Sequence, residues 1–167
     1  MIESSSSSTS SVLKTVANLG VPYEMIEIDP ALADTVLFCE HYDFPMEQSG
    51  NTIIVASKKV PKIFVACVVL ATTRLDVNKR VRKLMGVSKA SFASAEEMKE
   101  LTGMEIGGVT PFSLPEELQL YVDSRIMELD WVILGGGGRD HKFKISPEVF
   151  HQLGAEIIEN LALPINP

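Results

Sequence analysis

Cysteine is scarce in this chain: Cys39 and Cys67 are the only two among 167 residues. That is too few to staple a small secreted scaffold. Cys67 also lies inside an apolar run, where a buried free thiol in a reducing compartment is the expected state. Long hydrophobic stretches are missing too. The longest, residues 63–71, falls far short of the roughly 20 apolar residues a membrane-spanning helix needs. The opening MIESSSSSTSS has an acid but neither a basic leader nor an apolar stretch, so it does not read as a secretory signal. It reads as a disordered tail over residues 1–10, ahead of a single domain over 11–167. A cytoplasmic protein with no membrane partner is expected. Glycine and proline are unexceptional, which excludes collagen-like and low-complexity chains, and 46% hydrophobic residues suffice for one packed core.

Positive charge is in deficit overall, with a net charge of −7, but it is unevenly placed. Residues 58–83 carry Lys58, Lys59, Lys62, Arg74, Lys79, Arg80, Arg82 and Lys83 against Asp76 alone. That segment is +7 and the remainder −14. A basic segment on an acidic body can meet a polyanion on one face, and the same residues can equally serve as a solvated helix face and a lysine-rich turn.

Apolar spacing organises the rest. Val12, Val16 and Leu19 predict a helix ended by Gly20, and residues 32–42 a second, with Leu32, Val36, Cys39 and Tyr42 near one face. YEMIEI reads as a strand. NTIIVAS and IFVACVVLAT, joined by KKVPK, read as two central antiparallel strands buried on both faces. Asp76 caps a helix with Val77, Val81 and Leu84 inward. KASFAS is a short strand, Ser94 and Glu97 form a capping box, and Gly103 ends the helix that follows. LQLYVD, WVIL and FKIS read as strands. Ser146-Pro147 opens a last helix with Val149, Phe150 and Leu153 inward, and AEIIENLA closes the chain. The pattern predicts an α+β fold, one domain with a mixed sheet flanked by short helices.

Conventional catalytic motifs are missing. There is no G-x-S-x-G, and neither cysteine has an obvious partner histidine. Cys39 and His41, two apart on a predicted helix, point about 200° away from each other, and His151 reads as a surface residue. No metal and no organic cofactor is implied. The run GGGGRDHK, residues 135–142, has neither phosphate-loop nor dinucleotide spacing, and a strand rather than a helix follows it. Such glycines do let backbone approach a ligand closely and present N–H groups to an oxygen, and a plain hairpin loop is the other reading. GGVTPF, residues 107–112, follows the same logic. Gly107 and Gly108 permit close approach, Pro111 stiffens the far side, and Thr110 is biased to extended chain, so the segment reads as a pocket wall or as a structural turn.

ELTGMEIGGVTPF followed by an apolar strand ending in GGGG resembles the YbaK-like prolyl-tRNA editing family, and the likeness runs from the first helix to the last. The resemblance implies a trans-acting aminoacyl-tRNA deacylase that hydrolyses the ester of a mischarged tRNA bearing a small amino acid. It implies a pocket for the terminal adenosine and aminoacyl group, lined by a G-x-x-x-P loop that here is Gly107-Gly108-Val109-Thr110-Pro111. Asn51, Thr52 and Gly108 are then the catalytic candidates. Asn51 stands where many members carry a functional lysine. Gly107, Val109, Thr110, Pro111, Gly136, Gly137, Gly138 and Arg139 are candidates for substrate binding, and Lys58, Lys59, Lys79, Arg80, Arg82 and Lys83 for contact with tRNA. The implied partners are the 3′ end and acceptor stem of an aminoacyl-tRNA, with a synthetase as a further one, and not DNA. The alternative is a non-catalytic module that keeps the pocket and binds aminoacyl-tRNA, an amino acid or a synthetase.

Overall fold

The computed structural model describes residues 3–104 and 108–165, and for residues 3–10 the backbone alone. Its centre is the antiparallel pair β2 (Gly50–Ser57) and β3 (Phe64–Leu70), in register from Gly50 opposite Leu70 to Ala56 opposite Phe64. The short strand β5 (Ala90–Phe92) adds antiparallel to the outer edge of β2. On the other side β6 (Gln119–Asp123) and β9 (Glu156–Ile158) add in parallel, giving the order β5-β2-β3-β6-β9. The sheet is mixed and carries short helices, as the apolar patterning predicts.

The unbroken apolar sequence of β3 follows from its two covered faces. Ala66, Val68 and Leu70 enter one core with Ile54, Leu120 and Val122. Val65, Cys67 and Val69 enter a second with Val55, Tyr121, Leu161 and Ala162. The first core is closed by the helix α1 (Glu3–Asn18), through Val12 and Val16, and by Phe112, Phe143 and Phe150. That helix begins at Glu3, so the serine run expected as a tail has a helical backbone from residue 3 onward. Serine is a tolerable helix residue once a packed turn continues the rod. The second core is closed by Val77 and Val81 on a π-helical turn, Val77–Val81, that leads into α3 (Arg82–Met85). Asp76 caps it by accepting from the Lys79 amide.

A second sheet, order β1-β8-β7, joins β1 (Tyr23–Glu27), β8 (His141–Ile145) and β7 (Val132–Gly135) in antiparallel fashion, and a bridge between Ser49 and Ile133 ties it to the start of β2. Its outer face is covered by α2 (Thr35–Tyr42). That helix is shorter than the 32–42 expected from the sequence, because Leu32 belongs to a separate turn, Pro30–Leu32, capped by Asp29. The apolar face is also turned from the expected one. Phe38 and Cys39 are buried while Val36 is 55% exposed, because Phe38 stacks on Tyr42 and Phe44. The predicted capping box is present in α4 (Ala95–Thr102), with Ser94 and Glu97 exchanging both hydrogen bonds. The last helix, α5 (Val149–Gln152), is a single turn, and AEIIENLA supplies β9 and leads into β10 (Ala162–Pro164), which pairs with β4 (Thr73–Leu75). Among the described residues no helix is long and apolar enough to cross a membrane.

Asp123 locks this C-terminal segment to the sheet. The carboxylate is 1% exposed and accepts from the Ala162 amide at 2.9 Å, the Arg125 amide at 2.9 Å and the Arg125 guanidinium at 2.8 Å. Replacing it by alanine strands those donors. Asp123→Ala is expected to cost about 3 kcal/mol and to lower the melting temperature by roughly 10 °C, measured by calorimetry.

Candidate functional site

The two glycine-rich segments meet backbone to backbone. Gly137 donates its N–H to the Gly108 carbonyl at 2.6 Å, and a β-carbon on Gly108 would overlap the carbonyl of Gly138. A β-carbon on Gly135 would stand 2.5 Å from the Val109 carbonyl, and one on Gly136 2.6 Å from the His141 ring. Glycine is required here because facing backbone and, at Gly136, the His141 ring occupy the space, and among these residues only Gly137, at φ 97°, also has a left-handed backbone.

This seam sets Val109 and Gly135 against the first residues of β2. Together with Gly50, Asn51, Thr52, Ile53, Asp34, Thr35 and Lys142 they enclose a cavity of about 290 Å³. Thr35 donates its hydroxyl to the Asn51 side-chain oxygen at 2.7 Å, which leaves the NH2 as the group Asn51 has to offer a ligand. The Thr52 hydroxyl oxygen is buried without a hydrogen-bond partner. At the rim, Arg139 donates to the Pro30 carbonyl at 3.1 Å and pairs with Asp34 at 3.4 Å.

Asn51, Thr52 and Val109 line one cavity, and Gly108, Gly136, Gly137 and Gly138 form the seam behind it. Three residues are placed otherwise. The Gly137 N–H is spent on Gly108 and is not offered to a ligand. Thr110 is fully buried, its hydroxyl accepting from the Phe112 amide at 3.4 Å. Pro111 lines a different depression beside Thr15 and Ser113. Gly107 lies outside the described residues.

The basic residues divide. Lys58 and Lys59 are exposed at the far tip of the β2–β3 hairpin, roughly 20 Å along the strand from Asn51. Lys79 and Lys83 are exposed on the basic helical segment. Arg80 donates to the Glu159 carbonyl, tying the helical segment to the β9–β10 connection, and Arg82 donates to the Asn78 and Val87 carbonyls at the two ends of its own segment. Among the described residues no three His, Cys, Asp or Glu side chains gather as metal ligands would.

Lys142 was not among the residues expected at the site. The glycine run drew attention to backbone, but the alternation of HKFKI already separates His141, Phe143 and Ile145 from Lys142 and Lys144. The first three face the core. The lysines lie on the face covered by aromatic side chains, Lys142 at 5.1 Å from the Phe38 ring centre and Lys144 at 4.5 Å from that of Trp131. Lys142 is only 6% exposed, and this burial lowers its pKa from 10.5 to about 8. Cys39 and Asp34 partly oppose the shift, and Arg139 adds to it.

Below pH 8 the folded chain must hold a buried charge that the unfolded chain keeps in water. Between pH 8 and 10.5 the unfolded state binds more protons, so stability rises with pH. Burial also pushes the Cys67 thiol up from 9.0 to about 12, which works in the opposite direction above pH 9. Stability measured by urea unfolding is expected to rise by roughly 1 kcal/mol between pH 8 and 9 and to level or fall beyond. Lys142→Met is expected to remove the rise.

The family model described as the aminoacyl-tRNA editing domain matches residues 29–153, well over half of the chain. An uncharacterised protein of Bacillus subtilis, YwhH, is 30% identical over 112 residues, covering 62% of this chain and 70% of that one. Two crystal structures share the fold. A candidate trans-editing enzyme for prolyl-tRNA synthetase superposes with a TM-score of 0.79 at 22% identity over 95% of this chain and 98% of the other. The hypothetical protein APE2540 superposes with 0.80 at 26% identity over 89% and 97%.

Proposed function

The chain belongs to the aminoacyl-tRNA editing domain family, and on that footing we propose that it is a trans-acting deacylase hydrolysing the ester of tRNA mischarged with a small amino acid. The observation that carries this reading is the cavity itself. Two backbone segments too close for any side chain press Val109 and Gly135 against Asn51 and Thr52. About 290 Å³ is at the small end for a ligand site, suited to an aminoacyl ribose with the rest of the nucleic acid outside.

An aminoacyl ester needs no protein nucleophile. It needs a bound geometry, a placed water and donors for the oxygen that becomes negative. The Asn51 NH2 and the Thr52 hydroxyl are such donors, and the strand that carries them is paired to β3 at both positions, which limits their reorganisation during the reaction. Val109 and the seam behind it set the room left for the amino-acid side chain. One methylene of misfit at such a wall is worth about 1–3 kcal/mol, enough to grade small side chains against larger ones. The exposed cations Lys79 and Lys83 are candidates for phosphate contact, with Lys58 and Lys59 on a remote tip.

Purified protein assayed on a panel of labelled aminoacyl-tRNAs, correct and mischarged, is expected to hydrolyse one class above the buffer rate. The panel includes prolyl-tRNA carrying alanine or cysteine, and tRNAs carrying serine and threonine. Asn51→Ala should lower the rate by about 10- to 100-fold and Gly108→Val should abolish it. A flat panel from folded protein would sink the deacylase reading in favour of a binding module.

A further inference from the structure

Lys142 carries a charge that the fold alone does not explain. It sits on the middle strand of the β1-β8-β7 sheet, opposite Ile26 on one side and Gly135 on the other, so backbone pairing holds it from both edges. Among the described residues no carboxylate lies within ion-pair distance of it. The nearby Asp34 is engaged by Arg139. Its described interactions are the Phe38 ring and the electrostatic influence of Asp34, Cys39 and Arg139. An ammonium buried without a counter-ion is costly, and a lysine on a two-sided strand under α2 has no path along which to carry its charge to water.

It lines the cavity, where among the described residues it is the only cationic side chain in the wall. Thr52, on the opposite strand, is also part of the wall, and its hydroxyl oxygen is buried without a hydrogen-bond partner. The cavity thus collects a buried cation from β8 and a buried hydroxyl from β2, both unsatisfied until something with a lone pair enters between them. A neutral apolar ligand would satisfy neither.

We propose that the Lys142 ammonium contacts the substrate directly, as the charged donor to the carbonyl oxygen of the aminoacyl ester. This rests on the deacylase reading and names the group that would do most of the electrostatic work in it. Water adds to the carbonyl carbon, the carbonyl oxygen becomes an oxyanion facing Lys142, and the carbon–oxygen bond to the ribose then breaks. One water proton ends on the ribose hydroxyl, the other leaves the new carboxyl group for solvent, and nothing is oxidised or reduced. Lys142 stays protonated throughout. Its attraction is weak for a neutral ester and strong for the oxyanion, so it acts on the rate and little on ground-state binding. The titratable or charged groups around it are Asp34 and Cys39 from α2 and Arg139 from the β7–β8 connection. The strands facing it offer only Asn51, Thr52 and Ile26.

The test compares wild type, Lys142→Met and Lys142→Arg in two assays. In deacylation of the best substrate of the panel, Lys142→Met is expected to lower kcat by about 10²- to 10³-fold, with KM changed less than a few-fold and partial activity kept by Lys142→Arg. Wild-type kcat should fall as pH rises through about 8, and this limb should be missing in Lys142→Arg. In the second assay, calorimetry follows a phosphonate analogue of an aminoacyl-adenosine, whose anionic tetrahedral oxygens stand in for the oxyanion and which should bind wild type about tenfold more tightly than Lys142→Met. Wild type that hydrolyses nothing yet binds the analogue through Lys142 overturns the deacylase reading and supports the contact. Unchanged kcat and unchanged binding in folded Lys142→Met overturn the contact and leave the deacylase reading standing. A wild type that neither hydrolyses nor binds overturns both.

Discussion

The contact on which the site depends is between main chains: Gly108 lies against Gly138, and the Gly137 N–H reaches the Gly108 carbonyl at 2.6 Å. Side chains cannot make such a seam, because a single β-carbon on either strand of it would occupy the other. Its consequence is geometric. The connection between α4 and β6 is pinned to the connection between β7 and β8, and both are pressed towards the start of β2, which the Ser49–Ile133 bridge brings to the same place. Three segments far apart in sequence become three walls of one cavity with little freedom to drift.

What the seam encloses is electrostatically unfinished. Elsewhere several buried polar groups among the described residues are well satisfied. Asp123 meets three donors, Ser94 and Glu97 exchange bonds, and Asp76 caps its turn. In and beside the cavity the Thr52 hydroxyl and the His141 Nε2 lack partners, and the Lys142 ammonium lies beside an aromatic ring instead of a carboxylate. A buried cation and a buried hydroxyl in the wall of one cavity fit a polar ligand better than an apolar one.

The charge pattern is more modest than the sequence suggests. Eight cations in residues 58–83 invite a picture of one basic face. Yet Arg80 and Arg82 are engaged by main-chain carbonyls, Lys62 pairs with Glu97 at 2.6 Å, and Lys58 and Lys59 sit at the hairpin tip remote from the cavity. Clustering in sequence is only clustering along a chain, and a hairpin holds its tip a strand's length away from the paired ends beside the cavity.

The local sequence determined a good deal. It specified the β2–β3 hairpin, whose alternate residues feed two cores, and the caps at Asp76, Ser94 and Gly103. It also marked the two glycine-rich segments as places where backbone must come close. These are short-range matters of periodicity, side-chain reach and backbone freedom, and they are written residue by residue. Other features were decided only by tertiary structure: that α2 buries Phe38 and not Val36, that residues 156–164 complete two sheets, that Pro111 and the Gly137 N–H turn away from the cavity, and that Lys142 enters it. Each depends on what arrives from elsewhere in the chain. A lysine in an alternating strand is an ordinary surface residue until a helix more than a hundred positions earlier covers its face and two glycine loops leave it a single opening.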